Sequence, residues 1–73
     1  MPLTYGVVAV DPRVIPYGTK MYIESVDGKY VYGYAIAGDC GGAIKGNKVD
    51  LFFPSRSKCY EFGRRAVRIY FLD

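Results

Sequence analysis

The stretch G-D-C-G-G-A-I-K-G-N-K-V-D-L-F-F, Gly38 to Phe53, sets a glycine-rich segment directly before an apolar, β-branched and aromatic run, and each half carries a carboxylate. Asp39 and Asp50 stand eleven positions apart, with Gly41, Gly42 and Gly46 between them. Glycine serves where φ must be positive or a ligand must come close to the backbone, so Asp39 is expected on a loop. Val49 to Phe53 reads as a strand, and Asp is disfavoured there by propensity. Two readings follow. In one, Asp50 opens an exposed edge strand and Asp39 caps a turn. In the other, the two carboxylates form an acid/base site.

Working outward, the 73 residues are enough for one domain, spanning residues 1–73. A domain of this size buries only about 60% of its unfolded surface, so it gains from a disulfide, a metal or a partner chain. There is no His, and Cys40 and Cys59 are the only cysteines. That combination excludes a Cys/His zinc site within one chain, as well as Ser-His and Cys-His nucleophiles. No metal or other cofactor is expected. Ten Lys and Arg against seven Asp and Glu give a net charge of +3, which favours anionic partners such as nucleic acid or a cell-wall polymer. No apolar run approaches the roughly 18 residues that would span a membrane, and Met1-Pro2-Leu3 does not resemble a signal peptide, so the chain as given reads as soluble.

Upstream of the glycine loop, Tyr5 to Val10 (Y-G-V-V-A-V) reads as a buried strand. Asp11 to Gly18 carries two prolines and is expected as an ordered loop, with Val14 and Ile15 tucked inward. Thr19 to Ser25 alternates as a strand, with Thr19, Met21 and Ile23 on one face and Lys20, Tyr22 and Glu24 on the other. After a hairpin turn at Asp27-Gly28, Lys29 to Ala37 returns with Tyr30, Tyr32 and Tyr34 on one face and Val31, Gly33, Ala35 and Ala37 on the other. Downstream of the loop, Ser55 is placed to cap a two-turn helix over Arg56 to Phe62 that ends at Gly63. Arg64 to Leu72 is a last strand, with Val67, Ile69 and Phe71 facing in and Arg68 facing out. Five strands and one short helix, with no repeat or linker, predict an all-β fold and a small barrel.

Three blocks carry a resemblance: G-V-V-A-V-D-P-R-V-I-P-Y-G-T-K from Gly6 to Lys20, A-G-D-C-G-G-A-I-K-G-N-K-V-D-L-F-F from Ala37 to Phe53, and F-G-R-R-A-V-R-I-Y from Phe62 to Tyr70. In this order and spacing the chain resembles the three-aspartate (3D) domain of bacterial cell-wall proteins, which is itself similar to the catalytic barrel of membrane-bound lytic transglycosylase A. The resemblance covers nearly the whole chain. It implies a double-psi β-barrel of five to six strands, an extracytoplasmic or cell-wall location for the parent protein, and Asp11, Asp39 and Asp50 as the three aspartates. The family has a further strand ahead of Gly6, so the barrel is expected to be incomplete at its N-terminal side. It also more often has Thr where Cys40 stands.

The activity implied is cleavage of the MurNAc-GlcNAc β-1,4 bond of peptidoglycan to a 1,6-anhydro sugar. Ordinary glycosidases use two carboxylates. Here the sugar's own C6 hydroxyl attacks, so one carboxyl suffices, first protonating the departing oxygen and then receiving the C6 proton. Asp50 matches the position of the catalytic acid, and Val49, Leu51 and a neighbouring carboxylate would help it stay protonated. Asp39 would orient the sugar and Asp11 would brace the loops. Gly41, Gly42 and Gly46 would let the glycan reach backbone amides, and Lys45 would meet a muropeptide carboxylate. A cell-wall glycan-binding module without turnover is the alternative, and a small basic barrel binding nucleic acid is a second. Two further expectations concern stability. Cys40 and Cys59 flank one strand and are expected to form a disulfide, with buried free thiols as the other reading. An open barrel edge predicts a homodimer.

Overall fold

The computed structural model describes residues 5–72; the N-terminal tripeptide compared above with signal peptides lies outside this range. Five strands and one helix follow in chain order: β1 (Gly6–Val10), β2 (Lys20–Ser25), β3 (Val31–Asp39), β4 (Val49–Leu51), α1 (Arg56–Phe62) and β5 (Val67–Leu72). The strands form one sheet in the order β4-β1-β3-β2-β5, with β1 parallel to β3 and the other neighbours antiparallel. The sheet curls into a half-barrel, and the fold is a small all-β barrel type. No described helix is long and apolar enough to cross a membrane.

Alternation decides which side of the sheet is the core. Val8 and Val10 on β1, Met21 and Ile23 on β2, and Ala35 and Ala37 on β3 are buried together with Ile15 from the loop after β1. Val14, expected to tuck inward beside Ile15, is 46% exposed. Ser25 continues the buried face of β2, and its hydroxyl is fully used: it donates to Asp27 Oδ1 at 2.6 Å and accepts the Tyr30 N–H at 3.0 Å. This closes the hairpin turn, where Gly28 takes φ +75°.

Two glycine-dependent bulges depart from simple alternation. Ile23 pairs with Gly33, but the next residue, Glu24, pairs with Val31, which leaves Tyr32 as an extra residue. Gly33 has φ +100°, a conformation suited to glycine. The three tyrosines therefore do not share a face as expected. Tyr32 packs against the core cluster, while Tyr34 lies on the outer face beside Tyr22. The second bulge falls where Val8 pairs with Ala37 and Ala9 pairs with Asp39, passing over Gly38.

The described residues leave the inner side of the half-barrel unfilled. A trough of about 1200 Å³ runs between β4 and β5, walled by Val49 and Leu51 on one side and Val67, Ile69 and Phe71 on the other. Helix α1 closes one end of it through Phe62. The Phe62 ring is buried and sits 5.4 Å from Phe53 and 6.0 Å from Tyr30. Ser55 caps the helix by accepting the Lys58 N–H, as its position predicts, and Gly63 ends it at φ +62°.

Candidate functional site

Because Val8 and Val10 point into the core, Ala9 between them points to the outer face. Its register partners on the two neighbouring strands are Asp39 on β3 and Asp50 on β4. Adjacent strands lie about 4.8 Å apart, so the two carboxylates flank Ala9 with roughly 10 Å between their backbones. The methyl of Ala9 leaves the space between them open. Neither Ala9 nor Gly38 stood out in the sequence, although both belong to this site. At Gly38, a Cβ would come within 2.8 Å of Val7 Cγ1, so the bulge that brings Asp39 into register with Ala9 depends on glycine. The available signals were small residues inside apolar runs, A in Y-G-V-V-A-V and G in A-I-A-G-D.

Asp39 is the last residue of β3 rather than a loop residue, since the bulge carries strand pairing one step further than alternation implied. Its Oδ1 accepts the Cys40 N–H at 2.8 Å and its side chain is exposed. Asp50 is the middle residue of the three-residue β4 and stands at the rim of the trough. It too is exposed, so the apolar burial expected of it is absent: Val49 and Leu51 turn their side chains to the opposite face.

Asp11 has the opposite environment. It is 4% exposed, and its carboxylate accepts four hydrogen bonds. Oδ1 takes the Arg13 N–H at 3.0 Å and Arg13 Nε at 3.1 Å; Oδ2 takes an Arg13 terminal nitrogen at 3.0 Å and the Gly46 N–H at 2.9 Å. The Arg13 guanidinium, followed by the Gly46 amide, holds this carboxyl well below the usual carboxylate range. It remains ionised and ties the turn after β1 to the loop between β3 and β4.

The loop itself differs from expectation in two respects. Of its three glycines only Gly46 has positive φ, at +67°, and its N–H is committed to Asp11 and so is not free for a ligand. Gly41 and Gly42 are exposed, and the Gly41 carbonyl accepts the Ile44 N–H at 3.0 Å. Lys45 is exposed on the same loop. Tyr17 was also missed. The Gly18 N–H donates to the Ala37 carbonyl at 2.7 Å and the Ala37 N–H to the Thr19 carbonyl at 2.9 Å, which folds the proline loop against the end of β3. The Tyr17 hydroxyl thus lies beside the Cys40 thiol, and this neighbour, with some burial and the nearby Asp39 charge, pushes its pKa up.

Cys40 and Cys59 are separate free thiols and both are exposed, so neither the expected disulfide nor a buried pair is formed. Each has its own surroundings: Cys40 follows the end of β3 beside Tyr17, and Cys59 lies on α1 at the wall of the trough.

These features can be set beside known proteins. The model of the 3D domain family matches residues 6–73. The chain is 52% identical over 67 residues to the "Putative cell wall shaping protein YabE" of Bacillus subtilis (strain 168), covering 92% of this chain and 15% of that protein. It is 49% identical over 67 residues to the cell wall-binding protein YocH of the same organism, covering 92% of this chain and 21% of that protein. The SPbeta prophage-derived uncharacterized protein YorM, also of Bacillus subtilis, is 40% identical over 63 residues, covering 86% of this chain and 25% of that protein. The chain thus spans a quarter or less of the length of these relatives. No solved structure gives a significant match. The family match covers nearly the whole chain, and the chain belongs to the 3D domain family.

Proposed function

We propose that this domain acts on the glycan strands of peptidoglycan in the bacterial cell wall, cleaving the MurNAc-GlcNAc β-1,4 bond with Asp50 as the acid and base. The observation that carries the reading is the pair of exposed carboxylates on either side of Ala9, on a surface braced by the buried Asp11. Relatives with cell-wall names support the substrate class. In the step proposed, Asp50 gives its proton to the departing glycosidic oxygen as the bond from C1 breaks. The C6 hydroxyl of the same MurNAc bonds to C1, and its proton passes to the Asp50 carboxylate. The 1,6-anhydro product forms without water, and the acid is restored. Asp39, across Ala9, orients the sugar, and Lys45 is available to a stem-peptide carboxylate.

The exposure of Asp50 favours a second reading, a module that binds glycan without turning it over, because the enclosure that general acids use would have to come from the bound glycan itself. Digestion of purified peptidoglycan, read by mass spectrometry, separates the two. Anhydro-muropeptides are the result expected. Retention on sacculi without such products selects the binding module, and neither product nor retention overturns both readings.

A further inference from the structure

On the outer face of the sheet, Tyr34, Tyr22 and Tyr70 are direct register partners on three adjacent strands, β3, β2 and β5. Their rings form one row across the strands, with centroids 5.2 Å apart for Tyr22 and Tyr34 and 6.3 Å apart for Tyr22 and Tyr70, each ring inclined to the next by 71° and 52° respectively. Tyr5 extends the row at 5.9 Å from Tyr34. Tyr34 and Tyr70 are 39% and 46% exposed. Cross-strand aromatic pairing stabilises a sheet, and that accounts for two rings in contact. It does not account for four tyrosines in line on the face turned away from the core, with cations beside them. Lys20 Nζ lies 5.4 Å from the Tyr5 ring centroid, and Arg68 flanks Tyr70, both reaching Glu24 Oε1.

We infer that this row is a stacking surface for the pyranose rings of an anionic β-1,4-linked glycan, with Lys20 receiving its carboxylates. The inference rests on the cell-wall reading above and adds a contact surface to it. The two exposed rings, Tyr34 and Tyr70, stand on β3 and β5 with β2 between them, two strand spacings or about 10 Å apart, which is close to the length of one β-1,4-linked disaccharide. Alternate sugars can therefore lay their apolar C–H faces over these two rings while their hydroxyls stay in water. Charge selects the occupant: Lys20 offers a cation beside the row to a glycan bearing lactyl or peptide carboxylates, while Arg68 is paired with Glu24 at 3.4 Å. The row shares the outer face with Ala9, Asp39 and Asp50. It lies away from them along β3, since Tyr34 and Asp39 are five residues apart, roughly 16 Å in a strand. It holds the polymer and takes no part in bond cleavage.

The test uses Tyr34→Leu and Tyr70→Leu together, which keep apolar bulk on the sheet but remove the aromatic faces. Co-sedimentation with purified peptidoglycan sacculi is expected to weaken by at least about tenfold, the loss typical of an aromatic anchor. Lys20→Gln should reduce retention on sacculi. If the parent protein does not bind sacculi, the cell-wall reading itself falls. If it binds and the folded leucine variant binds equally well, the row is overturned and that reading stands. Should the leucine variant not fold, ring-proton NMR of the parent during titration with soluble muropeptide fragments decides. Shifts at Tyr22, Tyr34 and Tyr70 are expected, and unchanged rings overturn the inference. Displacement of sacculi from these rings by an oligonucleotide would assign the surface to nucleic acid and overturn it as well.

Discussion

At the scale of single residues, the three aspartates have three distinct settings. Asp11 is buried among donors and its folded pKa is depressed, so its contribution to stability is complete above the unfolded value of about 3.9 and is lost as pH falls below it toward the folded value. Asp11→Asn is therefore expected to lower the melting temperature near neutral pH. The gap between variant and parent should narrow as pH drops below about 4. Thermal denaturation followed by circular dichroism across that range measures it, and a gap independent of pH would remove Asp11 as an ionised brace. Asp50, open to solvent at the rim of the trough, is the residue whose chemistry is proposed. Asp50→Asn should retain the fold and reduce release of anhydro products by about 100 to 10,000 fold, the range for loss of a proton-transfer group. Asp39→Asn should reduce it less. Equal turnover by Asp50→Asn and the parent would move the acid to another side chain.

At the scale of elements, α1 is held by a single buried side chain. Phe62 rests on Phe53 and Tyr30, and the Arg65 guanidinium lies 4.3 Å from the Tyr30 ring centroid and 5.3 Å from that of Phe62. Arg65 also donates through Nε to the Phe62 carbonyl, fixing the turn that leads into β5. Truncating a buried Phe typically costs 3–5 kcal/mol, and beside an open trough the lower end applies, so Phe62→Ala is expected to cost about 3 kcal/mol. Urea unfolding checks this, and a loss below about 1 kcal/mol would mean that the helix is held by its cap and by Arg65. The bulges at Tyr32 and Gly38 are the other elements that shape function. One sends Tyr32 inward and leaves Tyr34 to the outer row; the other brings Asp39 opposite Asp50 across Ala9.

At the scale of the whole molecule, the sheet formed by the described residues has two edges, β4 and β5, and both border the same apolar trough. An unpaired edge beside apolar surface is a template for another strand. Phe71, on the trough side of β5, is 62% exposed, which is the condition that a second strand layer would relieve. We propose that the isolated chain self-associates through these edges. Light scattering should give a mass above 8.2 kDa that rises with concentration. A monomeric mass at the highest accessible concentration would mean that the trough stays open in water.

The sequence by itself determined the strands, the helix and its Ser55 cap, and the all-β class, because these rest on local alternation, glycine and proline positions and capping chemistry. It also marked Asp11, Asp39 and Asp50, since the three family blocks are contiguous in the chain. Only the tertiary structure decided what each aspartate faces. Ala9 as the floor between two carboxylates depends on the pairing of β1 with β3 and β4, contacts across more than 25 residues of chain that no local pattern encodes. The exposure of Asp50 follows from its alternation with Val49 and Leu51 once β4 is packed at the sheet edge. The separation of Tyr32 from Tyr34 follows from a bulge, where one added residue reverses every side chain beyond it, and a period of two cannot reveal that in advance.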